Sequence, residues 1–166
     1  CVDACEVKPT APSFDVTLKY AWGGAISGAT ATDVMMTPIV TQLDDDNCDG
    51  KVSADDTPDI LATTFASGKY WGAGVLHALS VKGGVLTEKT LRNDVVAGYE
   101  LASGDLDPTS PGNEIVACHF PSGIMALRAD GSVLWQQFDA GHTCGVPSIA
   151  DLDGDGTPEV IGNSKV

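Results

Sequence analysis

An all-β fold built of four-stranded antiparallel units is what this sequence predicts, and three observations carry that prediction. An internal repeat recurs three times, each copy a short β-branched segment, an acidic turn and a second such segment. Nineteen glycines and nine prolines supply turn residues at a density suited to many short strands. Helical periodicity of apolar residues is weak along the whole chain.

The three repeats align residue by residue. Residues 38–44 (PIVTQLD) lead into a long acidic loop and then residues 57–62 (TPDILA). Residues 101–107 (LASGDLD) lead to residues 113–117 (NEIVA), and residues 147–153 (PSIADLD) lead to residues 157–161 (TPEVI). In each copy the second segment opens with an acid followed by β-branched residues. Downstream, residues 75–79 and 85–86 flank Gly83-Gly84, and residues 124–127 and 132–135 flank Asp130-Gly131. Gly-Gly and Asp-Gly are hairpin turn signals, because both central residues of a type I′ turn need positive φ. One unit is therefore four short strands, the size of a propeller blade.

The elements follow in order. Residues 1–13 form an N-terminal extension carrying Cys1 and Cys5. Residues 14–36 hold an orphan last strand at residues 14–22, similar to the strand expected at residues 132–138, and then a loop. Residues 37–97 form the first blade unit, residues 98–144 the second, and residues 145–166 the first half of a third. Two whole units with partial units at each end do not close a propeller, which needs about four or more blades. The open strand edges then favour self-association by strand addition, head to tail, into a ring or filament. The same count also fits a piece cut from a larger propeller.

Charge narrows the function. Nine Lys and Arg against 23 Asp and Glu give a net charge of −14, which argues against a nucleic-acid partner. The acids concentrate at residues 44–59, 105–114 and 151–159, and clustered carboxylates repel unless a cation sits between them. No apolar stretch approaches the length of a membrane-spanning helix.

The third turn is the sharpest motif. Asp151, Asp153 and Asp155 place carboxylates at positions one, three and five, Gly156 allows the sharp bend, the Thr157 carbonyl takes position seven, and Glu159 closes the sphere at nine. All-oxygen ligation of this kind favours calcium. The second turn keeps Asp105, Asp107 and Glu114 but has Thr109 at position five and one inserted residue, so weaker binding is expected. The first turn carries nine extra residues. Within them Asp45, Asn47, Asp49, Gly50, Lys51 and Asp56 reproduce EF-hand spacing at positions one, three, five, six, seven and twelve. Asp44 and Asp46 offer a competing register there, matching Asp153 and Asp155. Two to three calcium ions are expected in all.

These strand–DxDxDG–strand units, with residues 150–160 (ADLDGDGTPEV) and 126–135 (ALRADGSVLW), resemble FG-GAP/VCBS repeats, the calcium-loop blades of integrin α-subunit propellers and many bacterial surface proteins. The resemblance covers about residues 37–166. It implies calcium in the inter-strand loops and a role in adhesion, matrix or cell-surface architecture. The missing third Asp of the second turn, the insertion in the first and the small number of units depart from the family pattern.

Five cysteines at irregular spacing imply disulfides and an oxidising, secreted or cell-surface setting. Cys118 and Cys144, in one repeat, are the preferred pair, with Cys48 within reach of Cys1 or Cys5. Cys1 is alternatively a lipoprotein attachment point. Cys118, His119, His142 and Cys144 would suit zinc by residue type, but a disulfide is the simpler use. The sequence has no Gly-x-Ser-x-Gly elbow and no phosphate loop, and ion turns account for its clustered acids better than a glycosidase pair does. The expectation is a secreted, calcium-stabilised structural or adhesive protein, not an enzyme. Its partners would be itself or other surface proteins. The alternatives are a propeller module that binds carbohydrate or protein, with glycans stacking on Trp71, and a non-catalytic fragment of a larger secreted enzyme.

Overall fold

The computed structural model of the chain describes residues 16–23, 31–138 and 144–162. Among these residues there is no helix, and ten strands form three antiparallel sheets. Strands β1 (Ile39–Thr41), β2 (Asp59–Thr64), β3 (Ala73–Lys82) and β4 (Val85–Val96) make a four-stranded meander in sequence order. Strands β5 (Ala102–Gly104), β6 (Glu114–Cys118), β7 (Ile124–Leu127) and β8 (Val133–Gln137) make a second. Strands β9 (Ser148–Ala150) and β10 (Glu159–Ile161) pair as a two-stranded sheet.

Local chemistry accounts for the hairpins. Gly83 and Gly84 have φ of 58° and 80°, the positive values a two-residue turn needs, and Lys82 pairs with Val85 directly across it. At the β7–β8 turn Gly131 has φ of 81°, its N–H bonds the Arg128 carbonyl, and Asp130 caps the N–H of Ser132.

The two four-stranded sheets share one core. Leu61, Ala62, Leu76, Ala78 and Val95 of the first meet Leu101, Ile115, Ala117, Met125 and Leu127 around the second, with Met36 and Leu43 in the same cluster. Strand β6 is buried along its whole length, and after Glu114 its sequence runs apolar without alternation, as expected where both faces of a strand are covered. The last strands, β4 and β8, are only partly covered. The opening strands of successive sheets neighbour one another, β1 beside β5 and β5 beside β9, with Ile149 packed over Gly104. This places the three acidic turns on one side of the molecule, each leaving its opening strand.

The N-terminal region differs from the orphan strand expected there. The described part, residues 16–23, lies in no strand, and Val16 and Leu18 are exposed. A strand is held by a ladder of backbone partners, and none reaches these residues within the described chain. Side chains anchor the segment instead. Trp22 packs edge-on against His77 with ring centroids 5.0 Å apart, and its indole N–H donates to Glu88 Oε2 at 2.7 Å. His77 is fully buried in β3. One ring nitrogen meets Glu88 Oε1 at 2.7 Å and the other Thr64 Oγ1 at 2.8 Å.

Cys118 and Cys144 form a disulfide with Cα atoms 5.4 Å apart, which excludes the zinc alternative at these cysteines. Cys48 is exposed, and the expected partners Cys1 and Cys5, like His142, lie outside the described residues.

Candidate metal centres

The first and third acidic turns share one hydrogen-bonding pattern, best followed by position, and the second keeps part of it. At position one, Asp151 Oδ2 accepts from the Gly156 N–H at 3.0 Å, and Asp45 Oδ2 accepts from the Gly50 N–H at 2.8 Å. Position three caps position five: Asp153 accepts from Asp155 N–H, Asn47 from Asp49 N–H, and Asp107 from Thr109 N–H, at 3.1, 2.8 and 3.1 Å. Position five caps position seven in the same way, Asp155 on Thr157 at 2.7 Å and Asp49 on Lys51 at 2.9 Å. Gly156 and Gly50, both at position six, have φ of 88° and 87°, a conformation that only glycine adopts without strain.

The closing acid completes the pattern. Glu159 Oε2 accepts from the Leu152 N–H at 2.8 Å, and Glu114 Oε2 from the Leu106 and Asp107 N–H groups at 2.8 and 3.0 Å. Asp56 does the same in the first turn, taking the N–H groups of Asp46 and Asn47 at 3.0 and 3.2 Å, with Ser53 N–H at 2.7 Å. Those backbone donors, Ser53 foremost, hold the Asp56 carboxyl below the usual carboxylate range. The turn of the first sheet is thus organised about the register that begins at Asp45.

In the third turn one carboxylate oxygen each from Asp151, Asp153 and Glu159 lies within 4.8 Å of the others, a spacing suited to a shared cation. Asp155 stands outside that trio. The second turn is less regular. Position six is Ser110, whose N–H bonds the Asp107 carbonyl at 2.8 Å, and Thr109 Oγ1 donates to Asp107 Oδ1 at 2.5 Å. Thr109 thereby holds the Asp107 carboxyl below its usual range. Asp105 receives none of the turn N–H groups among the described residues.

Asp44 and Asp46, the competing register, face another way. The Lys89 ammonium donates to Asp44, and Lys82 pairs with Asp46. Sequence reasoning passed over both lysines, together with Asp59 and Gln42, which join the same cluster. The signal for Asp59 was present, because it opens its strand as Glu114 and Glu159 open theirs. Asp59 is fully buried, accepts from the Ser80 hydroxyl, and is pushed up in pKa by desolvation.

Trp71 is 61% exposed and meets Tyr70 edge-on at 4.7 Å, whereas Trp135 is half-buried.

Fold and turns together define an all-β chain of antiparallel sheets, each with an acidic, ligand-spaced turn between its first two strands. Among solved structures it is similar to the biofilm matrix protein Bap1 of V. cholerae, with a TM-score of 0.73 and 32% sequence identity over 88% of this chain. The match takes in 25% of the Bap1 chain, so this chain spans about a quarter of that protein. It matches no protein-family model and no curated protein sequence.

Proposed function

We propose that this chain is a calcium-stabilised segment of an extracellular structural or adhesive protein, built of propeller-type blades of the FG-GAP/VCBS kind. The convergence of Asp151, Asp153 and Glu159 carries the proposal. Three carboxylates held that close repel unless a cation lies between them, and an all-oxygen set on a flexible turn suits calcium. The first turn offers a second site through Asp45, Asn47, Asp49, the Lys51 carbonyl and Asp56, and the second turn a weaker third through Asp107 and Glu114. The extracellular setting is supported by the disulfide and by the likeness to a biofilm matrix protein.

Catalysis is not part of the proposal. Assembly is. Strand β10 has a ladder edge without a partner among the described residues, and such an edge accepts a strand from another copy or another surface protein. Sedimentation and negative-stain microscopy in calcium and then in EDTA test the reading. Assemblies that dissolve on chelation support it; a calcium-insensitive protein with an unchanged melting temperature sinks it.

A second reading is favoured by the exposed Trp71 beside Tyr70, an aromatic platform on which a sugar ring stacks. Glycan-array binding that is lost in Trp71→Ala distinguishes it.

A further inference from the structure

The register of the opening hairpins fixes which residues of the three turns are equivalent. Asp59 lies opposite Thr41, Glu114 opposite Gly104, and Glu159 opposite Ala150. Counting on from those pairs, Gln42, Asp44 and Asp46 occupy the places of Asp151, Asp153 and Asp155, and Asp59 that of Glu159. The first sheet therefore has two sets of oxygen ligands in one loop: the capped turn that begins at Asp45, and this second set beneath it.

The second set is more covered than its counterpart, although the Asp44 side chain is still 31% exposed. Asp59 is 0% exposed and the Asp46 side chain 6%, whereas Asp151 and Asp153 are exposed. Gln42 Oε1, Asp44 Oδ1 and Asp59 Oδ2 have no hydrogen-bond partner among the described residues. Carboxylate oxygens turned inward together need positive charge beside them, because an ion taken out of water without a counter-charge is strongly disfavoured. The chain itself supplies that charge. Lys82, the last residue of β3, pairs with Asp46, and Lys89 on β4 pairs with Asp44. Both side chains are about half exposed, so their stems run along the surface and only the ammonium groups turn inward. Two ammonium groups carry the charge of one divalent cation. Among the described residues no salt bridge reaches Asp151, Asp153 or Glu159.

We infer that Gln42, Asp44, Asp46 and Asp59 form a latent divalent-cation site whose occupant is the ammonium pair of Lys82 and Lys89. The inference rests on the proposal that the equivalent place in the third turn takes a cation. In the first sheet the mouth of the β1–β2 hairpin is then metal-independent, and calcium is confined to the loop from Asp45 to Asp56.

The test counts calcium bound per chain, by equilibrium dialysis with elemental analysis, in the wild type and in Lys82→Met/Lys89→Met. The double variant is expected to bind one calcium more than the wild type. If it is unfolded in chelator, calcium is expected to refold it. An unchanged count, or a variant that calcium does not refold, overturns the inference. Lysine acylation followed by mass spectrometry gives a second readout on the wild type. Lys82 and Lys89 should react equally slowly in calcium and in EDTA, and calcium-induced exposure of both would show an ion displacing them and also overturn it. A wild type that binds no calcium beside a double variant that gains one would remove the third-turn reading and leave this one standing.

Discussion

Asn113 donates its backbone N–H to the carbonyl oxygen of Gln42 at 2.8 Å, docking the second acidic turn onto the first. Its side-chain amide reaches Thr41 Oγ1 at 3.0 Å, and Thr41 in turn meets Ser103 Oγ at 2.7 Å. The two four-stranded sheets are thus joined by a polar seam beside the turns as well as by their shared core.

Gly112 is the residue this seam tolerates least. Its φ is 83°, and a Cβ there would stand 2.2 Å from the Leu43 carbonyl oxygen. Gly112→Ala combines backbone strain with a clash against main chain, and a loss of about 2–4 kcal/mol is expected in urea unfolding. A loss below about 0.5 kcal/mol, the range of an ordinary surface change, would mean that the turns are not docked this way.

Calcium linkage is expected to be strongest in the third turn. Any ion that binds only the folded chain stabilises it by mass action, about 2.7 kcal/mol at a hundredfold excess over Kd. The melting temperature should therefore fall on chelation. Asp153→Asn should shrink the calcium-dependent part of the shift while changing the melting temperature in EDTA little or upward, since one repelling charge is gone. Equal calcium shifts in variant and wild type would count against the trio.

Glu88 holds two groups at once, accepting from the partly buried Trp22 indole and facing the buried His77. Glu88→Ala leaves His77 without its carboxylate in a fully buried position and frees Trp22, at a cost of about 2–3 kcal/mol. Trp22 fluorescence should shift to the red in the variant. Unchanged emission would show that Trp22 is held by packing alone.

Asp94 sets an acid limit. The Arg92 guanidinium beside it holds its carboxyl below the usual carboxylate range. A carboxyl lowered on folding contributes stability above its unfolded pKa, about 3.9, and loses that contribution as pH falls through the lower folded value. Asp94→Asn should be less stable at neutral pH and should flatten the stability curve below about pH 4. Parallel curves for variant and wild type would assign the acid slope to other groups.

The order of strands, the Gly83-Gly84 and Asp130-Gly131 hairpins, the positions of the three acidic turns and the Cys118–Cys144 bridge were legible in the residues. Each depends on local chemistry: β-branched runs between turn signals, glycines where φ must be positive, carboxylates at alternate positions. In the N-terminal segment residues 16–22 carry a strand pattern yet lie in no strand, because a strand also needs a partner edge, which sequence does not supply. The first turn was ambiguous for a related reason. Three consecutive aspartates, Asp44, Asp45 and Asp46, offer two ligand registers of equal local merit. What separates them is the arrival of Lys82 and Lys89 from the β3–β4 hairpin, and the burial of Asp59 beneath Ser80. Local spacing is a property of the chain, so the sequence by itself determined where cations are to be sought. Counter-charge and burial come from residues brought together by the sheet, so only the tertiary structure decided which carboxylates already have a cation of the protein's own.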